Sequence, residues 1–239
     1  MGVCHYNYAE FDIANDFFSD YLQSPYSRDH FESALQYKLA IANKFSRGAK
    51  RRFFCHKLLP KILDGEELAL QIYDEVTVTL PCHELAAWGL YGKAKLLKAR
   101  RCYFESIDTY QQLIRRFPKH ELAPESYLNI SYLYLEQCAQ EVHNSDLLAF
   151  AQINLKKFQQ DFPREDRLCQ AEKNLLAMKC LYAEALYETG EFYVRKGHPK
   201  ASLIYYQNVI DRFPETSVAD NCRAKLSYYR KLIPNDRKD

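Results

Sequence analysis

Three stretches of the chain repeat one short pattern of apolar and polar positions. They read YQQLIRRFPKHE at 110–121, LKKFQQDFPRED at 155–166 and YYQNVIDRFPET at 205–216. In each stretch, large apolar residues recur every three or four positions, and the run closes on Phe-Pro. This spacing places the apolar residues on one face of a helix, and the proline ends that helix. The pattern therefore predicts a chain of repeated helical units.

Alignment of the chain on its prolines 81, 118, 163 and 214 brings equivalent residues into columns. The column twelve residues before the proline is small and consists of Ala69, Ser106, Ala151 and Ser202. The column eight residues before it is large and consists of Tyr73, Tyr110, Leu155 and Tyr206. Small residues let two helices approach closely, so each unit is predicted to be a helix pair that stacks on the next pair.

The predicted fold is all-α, a right-handed solenoid of about five helix pairs followed by a C-terminal capping helix. We predict one domain over 1–239, with the pairs near 6–46, 49–81, 84–118, 124–163 and 168–214, the capping helix over 217–232 and a polar tail over 234–239. The alternative is a helical bundle without repeats. Aligned columns of small and large residues favour the solenoid, because a bundle does not require them.

Local signals refine the ends of these helices. Ser217, with Asp220 three residues on, is predicted to be the N-cap of the capping helix. Lys57 and Pro60 interrupt the second pair, so its first helix is predicted to be short or broken. The stretch VTVTL at 76–80 is the one run with the alternation typical of a strand.

Composition and charge restrict the possible functions. Of the 239 residues, 27% are charged and 47% are apolar, and the net charge is +2, which is typical of a folded protein without a strongly charged partner. The basic run RGAKRR at 47–52 is interpreted as a solvated helix start. A nucleic-acid interface would need a basic face that joins this run to Arg100 and Arg101.

No motif of catalysis or metal binding occurs in the chain. The eight cysteines contain no CxxC pair, and three of them form Cys-His dipeptides at 4–5, 55–56 and 82–83. Adjacent side chains on a helix diverge by about 100°, so one dipeptide does not chelate a metal well. We predict no enzyme activity, no cofactor and no metal site. A helical transferase or hydrolase is the enzymatic alternative, and a converged acid and base pair would be its mark.

The aligned columns resemble those of tetratricopeptide repeats from about residue 6 to 214. In the last unit the consensus positions hold Leu186, Gly190, Tyr193, Ser202, Tyr206 and Pro214. The resemblance implies that the first helix of each pair lines a concave groove. The groove positions are Trp88, Tyr91, Lys95 and Lys98, then Leu133, Glu136, Gln140 and His143, then Glu184, Tyr187, Glu191 and Val194. This mixture of aromatic, amide and charged groups suits an extended peptide or a partner helix.

The segment Ala183–Asp220 resembles more specifically the last repeat and cap of the BamD family of outer-membrane assembly lipoproteins. The matching residues are Glu188, Gly190, Phe192, Tyr193, Lys196, Gly197, Ala201 and the Phe-Pro-Glu-Thr run at 213–216. The stretch 113–134 is similar to an internal repeat of that family. Tyr205 departs from the pattern, since the family usually has Arg there, and Cys4 is a poor match to a lipidated cysteine.

The resemblance implies a non-catalytic scaffold on the periplasmic face of the outer membrane of a Gram-negative bacterium, held there by a lipid anchor. It would dock the periplasmic domains of the barrel insertase through the last helix pair, and unfolded barrel proteins would meet the first pairs. The docking candidates are Arg195, Lys196, Tyr205 and Arg212. The alternative is a cytosolic repeat adaptor or secretion chaperone that binds a partner peptide, which the high cysteine content favours.

Overall fold

The computed structural model describes residues 1–52, 60–141 and 144–232, and almost all of these residues are helical. In chain order the helices are α1 (Gly2–Asn7), α2 (Phe11–Gln23), the 3-10 helix η1 (Ser27–His30), α3 (Phe31–Phe45), α4 (Glu66–Thr79), α5 (Glu84–Ala99), α6 (Tyr103–Arg116), α7 (Leu122–Gln140), α8 (Ser145–Asp161), α9 (Leu168–Arg195), α10 (Pro199–Arg212) and α11 (Ser217–Leu232). Two short strands, β1 (Lys50–Arg52) and β2 (Lys61–Asp64), lie between α3 and α4. The predicted all-α class of paired helices is confirmed.

The chain divides within α7 into two compact units, Met1–Ser126 and Tyr127–Asp239. In the first unit each helix from α1 to α6 packs mainly on its neighbour in the chain. In the second unit α9 packs on α8 and α10, and α11 contacts both α10 and α9. Short connections between antiparallel neighbours produce this order. The division of 1–239 into five pairs within one domain stays a prediction.

The columns found by aligning the sequence are buried in the structure. Ala69, Ser106 and Ser202 have no exposed surface, and Ala151 is 4% exposed. The large column is equally buried at its three tyrosines, which are 0% exposed. Ser106 fits between its two helices because its hydroxyl donates to the Ala94 carbonyl oxygen, 2.8 Å away. The repeated pattern therefore encodes the helix–helix contacts within each pair.

A β-hairpin occupies the place predicted for the first helix of the second pair. β1 and β2 are antiparallel, with Lys50 opposite Asp64. Arg52 fastens the hairpin to α2, because its guanidinium contacts Asp12 at 3.0 Å and Glu10 at 2.9 Å. The prediction of a short or broken helix is therefore wrong for the described residues of this segment. The predictions for Cys55, His56 and Lys57, and for the tail 234–239, lie outside the described residues.

The strand-like run at 76–80 is helical, as the all-α prediction requires, and the predicted N-cap of α11 is corrected. The strand-like run at 76–80 lies mainly in the last turn of α4, where Val76 is fully buried against the core and Val78 is exposed. Burial of one face of the helix thus overrides the strand propensity of valine and threonine. Thr216, not Ser217, caps α11, since its Oγ1 accepts from the Ala219 amide at 3.3 Å. Thr216 is itself buried, and Ser217 is the first residue of the helix.

Candidate functional site

The four predicted groove residues of the third repeat lie on one face of α5. Trp88 is 38% exposed, and its indole N–H donates to Glu84 Oε1 at 3.3 Å. Lys95 is exposed and holds its Nζ 5.5 Å from the centre of the Tyr91 ring. Lys98 lies at the C-terminal end of the same face, about two turns beyond Tyr91. The first unit thus presents an aromatic and basic surface along α5.

A buried tyrosine lies behind this surface. The ring of Tyr110 meets the edge of the Tyr91 ring at 5.9 Å, and Tyr110 has no exposed surface. Its hydroxyl finds no hydrogen-bond partner among the described residues. Burial raises the pKa of Tyr110 far above that of a free tyrosine, and the nearby Tyr91 and Glu125 add to the shift. Tyr110 is therefore a neutral core residue at all ordinary pH values.

The predicted groove residues of the fourth repeat are divided by the fold. Glu136 and Gln140 lie exposed on α7. Leu133, one turn before Glu136, has no exposed surface and belongs to the core of the second unit, which corrects its placement in the groove. His143 lies outside the described residues. Among the described residues of this predicted set, Glu136 and Gln140 are therefore the ones whose side chains are accessible to a partner.

Two of the predicted groove residues of the fifth repeat, Tyr187 and Glu191, contact the capping helix. Lys225 of α11 places its Nζ 2.7 Å from Glu191 Oε1 and 5.6 Å from the centre of the Tyr187 ring. The Tyr206 hydroxyl donates to the same Glu191 oxygen. The Tyr187 and Tyr206 rings lie 5.8 Å apart. Tyr187 and Glu191 thus hold α11 on α9, and only a quarter of the Glu191 side chain remains exposed.

Electrostatics supports this internal role. Partial burial opposes ionisation of Glu191, but hydrogen bonds from Lys225 and Tyr206 lower its pKa below the usual value. Burial likewise works against the charge of Lys225, whereas its bond to Glu191 raises its pKa. Both groups are therefore charged near neutral pH, and they form a partly shielded ion pair between α9 and α11.

The four predicted docking residues do not form one cluster. Arg195 and Lys196 are exposed at the end of α9, beside the turn to α10. Tyr205 stacks on Tyr193 with a ring separation of 5.3 Å, so it is held on the same pair of helices. Arg212 lies in the last turn of α10, with its guanidinium 5.5 Å from the Phe213 ring. Because α10 has 14 residues, Arg212 is about 20 Å from that turn.

A second exposed face of α9 was not predicted from the sequence. Leu181, Glu184, Ala185, Glu188, Thr189, Phe192 and Arg195 line one open depression of about 620 Å³, and we call this surface the α9 shelf. These residues recur every three or four positions, so the spacing could have revealed them as one helical face. They were overlooked because the repeat consensus assigns only Glu184 to the groove.

The sequence analysis also missed an apolar cavity in the first unit. It measures about 510 Å³ and lies between α1, α2 and the start of α3. Its apolar lining includes Val3, Phe17, Phe18 and Tyr37, and the Phe18 and Tyr37 rings are stacked at 5.2 Å. No periodic signal points to this cavity, since it depends on how α1 folds against α2.

A metal site and a membrane-spanning helix are both absent from the part of the chain that the structure describes. No group of three or more His, Cys, Asp and Glu side chains could hold a metal ion. No helix there has the length and apolar character needed to cross a bilayer. The seven described cysteines are unpaired thiols. Burial raises the pKa of three of them, Cys138, Cys180 and Cys222, so these thiols are less reactive than a free cysteine.

Comparison with known proteins identifies one repeat directly. The tetratricopeptide repeat family model matches residues 184–216, which cover the second half of α9 and all of α10. No curated protein matches the chain. One similar solved structure is described as "Crystal structure of YrrB: a TPR protein with an unusual peptide-binding site". It is 16% identical, with a TM-score of 0.35, over 84% of this chain and 98% of that chain.

The repeat match and the helix pairs together indicate a tetratricopeptide-like protein-binding scaffold. Repeat proteins of this kind bind their partners on extended faces built from successive helices. The exposed part of the α5 face, the exposed residues of α7 and the α9 shelf are three accessible helical surfaces in this chain.

Proposed function

We propose that this chain is a non-catalytic scaffold of the BamD type, which docks the periplasmic domains of an outer-membrane barrel insertase and engages unfolded barrel proteins. The resemblance to BamD is most specific over Ala183–Asp220, and the repeat family model matches 184–216 within that same segment. The proposed location is the periplasmic face of the outer membrane, and a lipid anchor would hold the protein there. No cofactor and no nucleic acid enter this proposal.

The observation that carries the proposal is the surface around the turn between α9 and α10. Arg195 and Lys196 are exposed there as adjacent positive charges. The stacked rings of Tyr193 and Tyr205 lie on the helices that flank the same turn. Aromatic side chains and arginine are the commonest anchors of protein interfaces, and adjacent charges speed the encounter with an oppositely charged partner.

Tyr205 stands where the BamD family usually has an arginine. The charge that this arginine would supply is available from Arg195 and Lys196, one helix away. The Tyr205 ring is oriented by its stacking on Tyr193 and is only partly buried, so it retains a face for a partner. We therefore expect an acidic and apolar patch on the docked domain.

The test is titration of the full-length protein with the purified periplasmic domains of the barrel insertase from the same organism. The variant Arg195→Glu/Lys196→Glu should weaken binding by about 100-fold, because two attractive contacts become repulsive. Tyr205→Glu should weaken it by about tenfold and leave the helical circular dichroism unchanged. Calorimetry measures both affinities.

The matched control is Lys156→Glu/Lys157→Glu, which makes the same change of charge on the exposed side of α8. It should leave the affinity within about twofold of the unaltered protein. Equal loss in this control would show a general charge effect, and failure of the unaltered protein to bind would contradict the insertase role.

A cytosolic adaptor is the second candidate, and the unpaired state of the seven described cysteines favours it. Free thiols persist in a reducing compartment, whereas an oxidising periplasm promotes disulfides. Fractionation of cells that express the protein at its native level separates the two candidates. Recovery with the outer membrane, together with a barrel protein, supports the scaffold, and recovery in the cytosol with one bound client supports the adaptor.

A further inference from the structure

The α9 shelf is free of the contacts that hold the second unit together. The opposite side of α9 makes those contacts, where Gly190 lies so close to Tyr206 that an added Cβ would stand 2.6 Å from the ring. Tyr187 and Glu191 lie between that side and the shelf, and their side chains contact α10 and α11. On the shelf side Phe192 remains 47% exposed. The fold therefore does not need the shelf residues for its own packing.

Charge distinguishes the shelf from the neighbouring strip of α9 that contacts α11. The inward Glu191 is paired with Lys225, and Glu215, beside the same helix, is paired with Lys179. On the shelf, Glu184 and Glu188 are exposed one turn apart, and neither carboxylate contacts a basic side chain of the described residues. Their negative charges therefore point outward over the middle of the shelf without an internal counter-charge.

The apolar and basic parts of the shelf complete its pattern. Leu181 and Ala185 form an apolar strip in its first half, and Phe192 continues this strip beyond Glu188. The Lys196 Nζ lies 5.6 Å from the Phe192 ring, so positive charge is confined to the C-terminal end. From Leu181 to Arg195 the shelf is about 21 Å long, which is the length of a helix of about 14 residues.

We infer that the α9 shelf binds a basic amphipathic helix of a protein partner, with lysine or arginine over Glu184 and Glu188 and apolar residues on Leu181, Ala185 and Phe192. Charge complementarity favours a basic partner segment. The apolar strip is long enough to contact several side chains of a partner helix, whereas one inserted side chain would cover only part of it. This inference rests on the proposal that the chain is a protein-binding scaffold, and it is independent of whether the partner is the insertase.

The experiment uses the full-length protein and two labelled probe peptides of about 14 residues each, a length that matches the shelf. Both have leucine along one helical face, and the polar positions are all lysine in one peptide and all glutamate in the other. Fluorescence anisotropy at low salt should show that the lysine peptide binds about tenfold more tightly than the glutamate peptide. Equal affinities would overturn the inference.

Variants assign the binding to the shelf. Glu184→Lys/Glu188→Lys should reverse the preference between the peptides, and Glu184→Gln/Glu188→Gln should abolish it without reversal. Phe192→Ala should lower the affinity for both peptides by about tenfold and leave the circular dichroism of the protein unchanged. Glu172→Lys, on an exposed part of α9 away from the shelf, is the control and should keep the original preference.

Two outcomes would assign the observed binding elsewhere and overturn the inference. One is a lysine-peptide affinity that survives both the Glu184/Glu188 variants and Phe192→Ala. The other is self-association of the unaltered protein in sedimentation that Phe192→Ala removes, which would make a second copy the occupant. Insertase binding that is lost in Arg195→Glu/Lys196→Glu but retained in Glu184→Lys/Glu188→Lys would separate the two sites, so the two proposals can fail separately.

Discussion

Two repeats with the same alignment columns, α5–α6 and α9–α10, use those columns differently. Tyr110 and Tyr206 occupy the same column, and both are fully buried. The Tyr110 hydroxyl has no hydrogen-bond partner among the described residues, whereas the Tyr206 hydroxyl donates to Glu191. Trp88 remains partly exposed on α5, whereas Tyr187 and Glu191 on α9 contact Lys225 of the capping helix.

The position of a residue within the repeat therefore determines how it packs within its own helix pair. Its polar contacts depend instead on the helix that follows the pair. On α9 the next helix is α11, which brings Lys225 to Glu191. The groove positions of α9 are thereby partly covered, and the accessible surface shifts around the helix to the α9 shelf. Each repeat of such a chain therefore needs its own assignment of binding residues.

The largest expected effect concerns how much the buried Tyr206 ring contributes to the stability of the α9–α10 pair. Tyr206→Ala should lower the free energy of unfolding of the second unit by about 3–5 kcal/mol, because a large aromatic side chain is removed from a filled core. The Tyr206 ring fills the space left by Gly190 and stacks on Tyr229 of α11 at 6.5 Å. Hydrogen exchange should show lost protection along α11.

The control for this prediction is the neighbouring Tyr205→Ala on the same helix. Tyr205 is only partly buried, so its removal should cost less than about 1.5 kcal/mol and leave α11 protected. If both variants destabilised α11 equally, the special role of the Tyr206 column in holding the cap would be wrong.

A smaller effect separates the two buried tyrosines directly. Tyr206→Phe removes a hydrogen bond to a carboxylate and should lower stability by about 1–2 kcal/mol. Tyr110→Phe removes a buried hydroxyl without a partner and should be neutral or stabilising by up to about 1 kcal/mol. Urea denaturation of the full chain measures both, and fluorescence of Trp88, the single tryptophan, follows the first unit. Equal losses in the two variants would remove the distinction between the repeats.

Much of the fold could be predicted because the helix-pair contacts recur in the sequence. The columns that contain Ser202 and Tyr206 predict close contact between paired helices, and the structure buries both residues completely. The pairing of β1 with β2 could not be predicted, since β1 is fastened by Arg52 to Asp12, a contact between residues 40 positions apart. A single-sequence pattern carries no signal for such a long-range ion pair.

Less of the candidate site could be predicted, because accessibility depends on neighbouring helices. Trp88 and Lys95 were chosen for the groove from repeat positions, and both are accessible. Leu133 was chosen by the same rule and is buried. The α9 shelf was missed for the converse reason, since all of its residues except Glu184 lie beside the consensus positions.

The smallest expected effect is a pH dependence confined to the capped repeat. The pKa of Glu191 is lowered in the folded protein, so its bonds stabilise the fold fully above the pKa of an unfolded glutamate, about 4.3, and are lost as the pH falls through the lower folded pKa. The pKa of Lys225 is raised, so its contribution to stability is present below about pH 10.4 and is lost as the pH rises through the higher folded pKa.

The variant Glu191→Gln should lower the free energy of unfolding by about 1 kcal/mol at neutral pH and make that free energy less dependent on pH in the acid range. Thermal unfolding between neutral and acid pH measures this slope. The exposed Glu172→Gln on the same helix is the control, and an unchanged slope in Glu191→Gln would mean that the pair adds no net stability and that α11 is held by its apolar and aromatic packing.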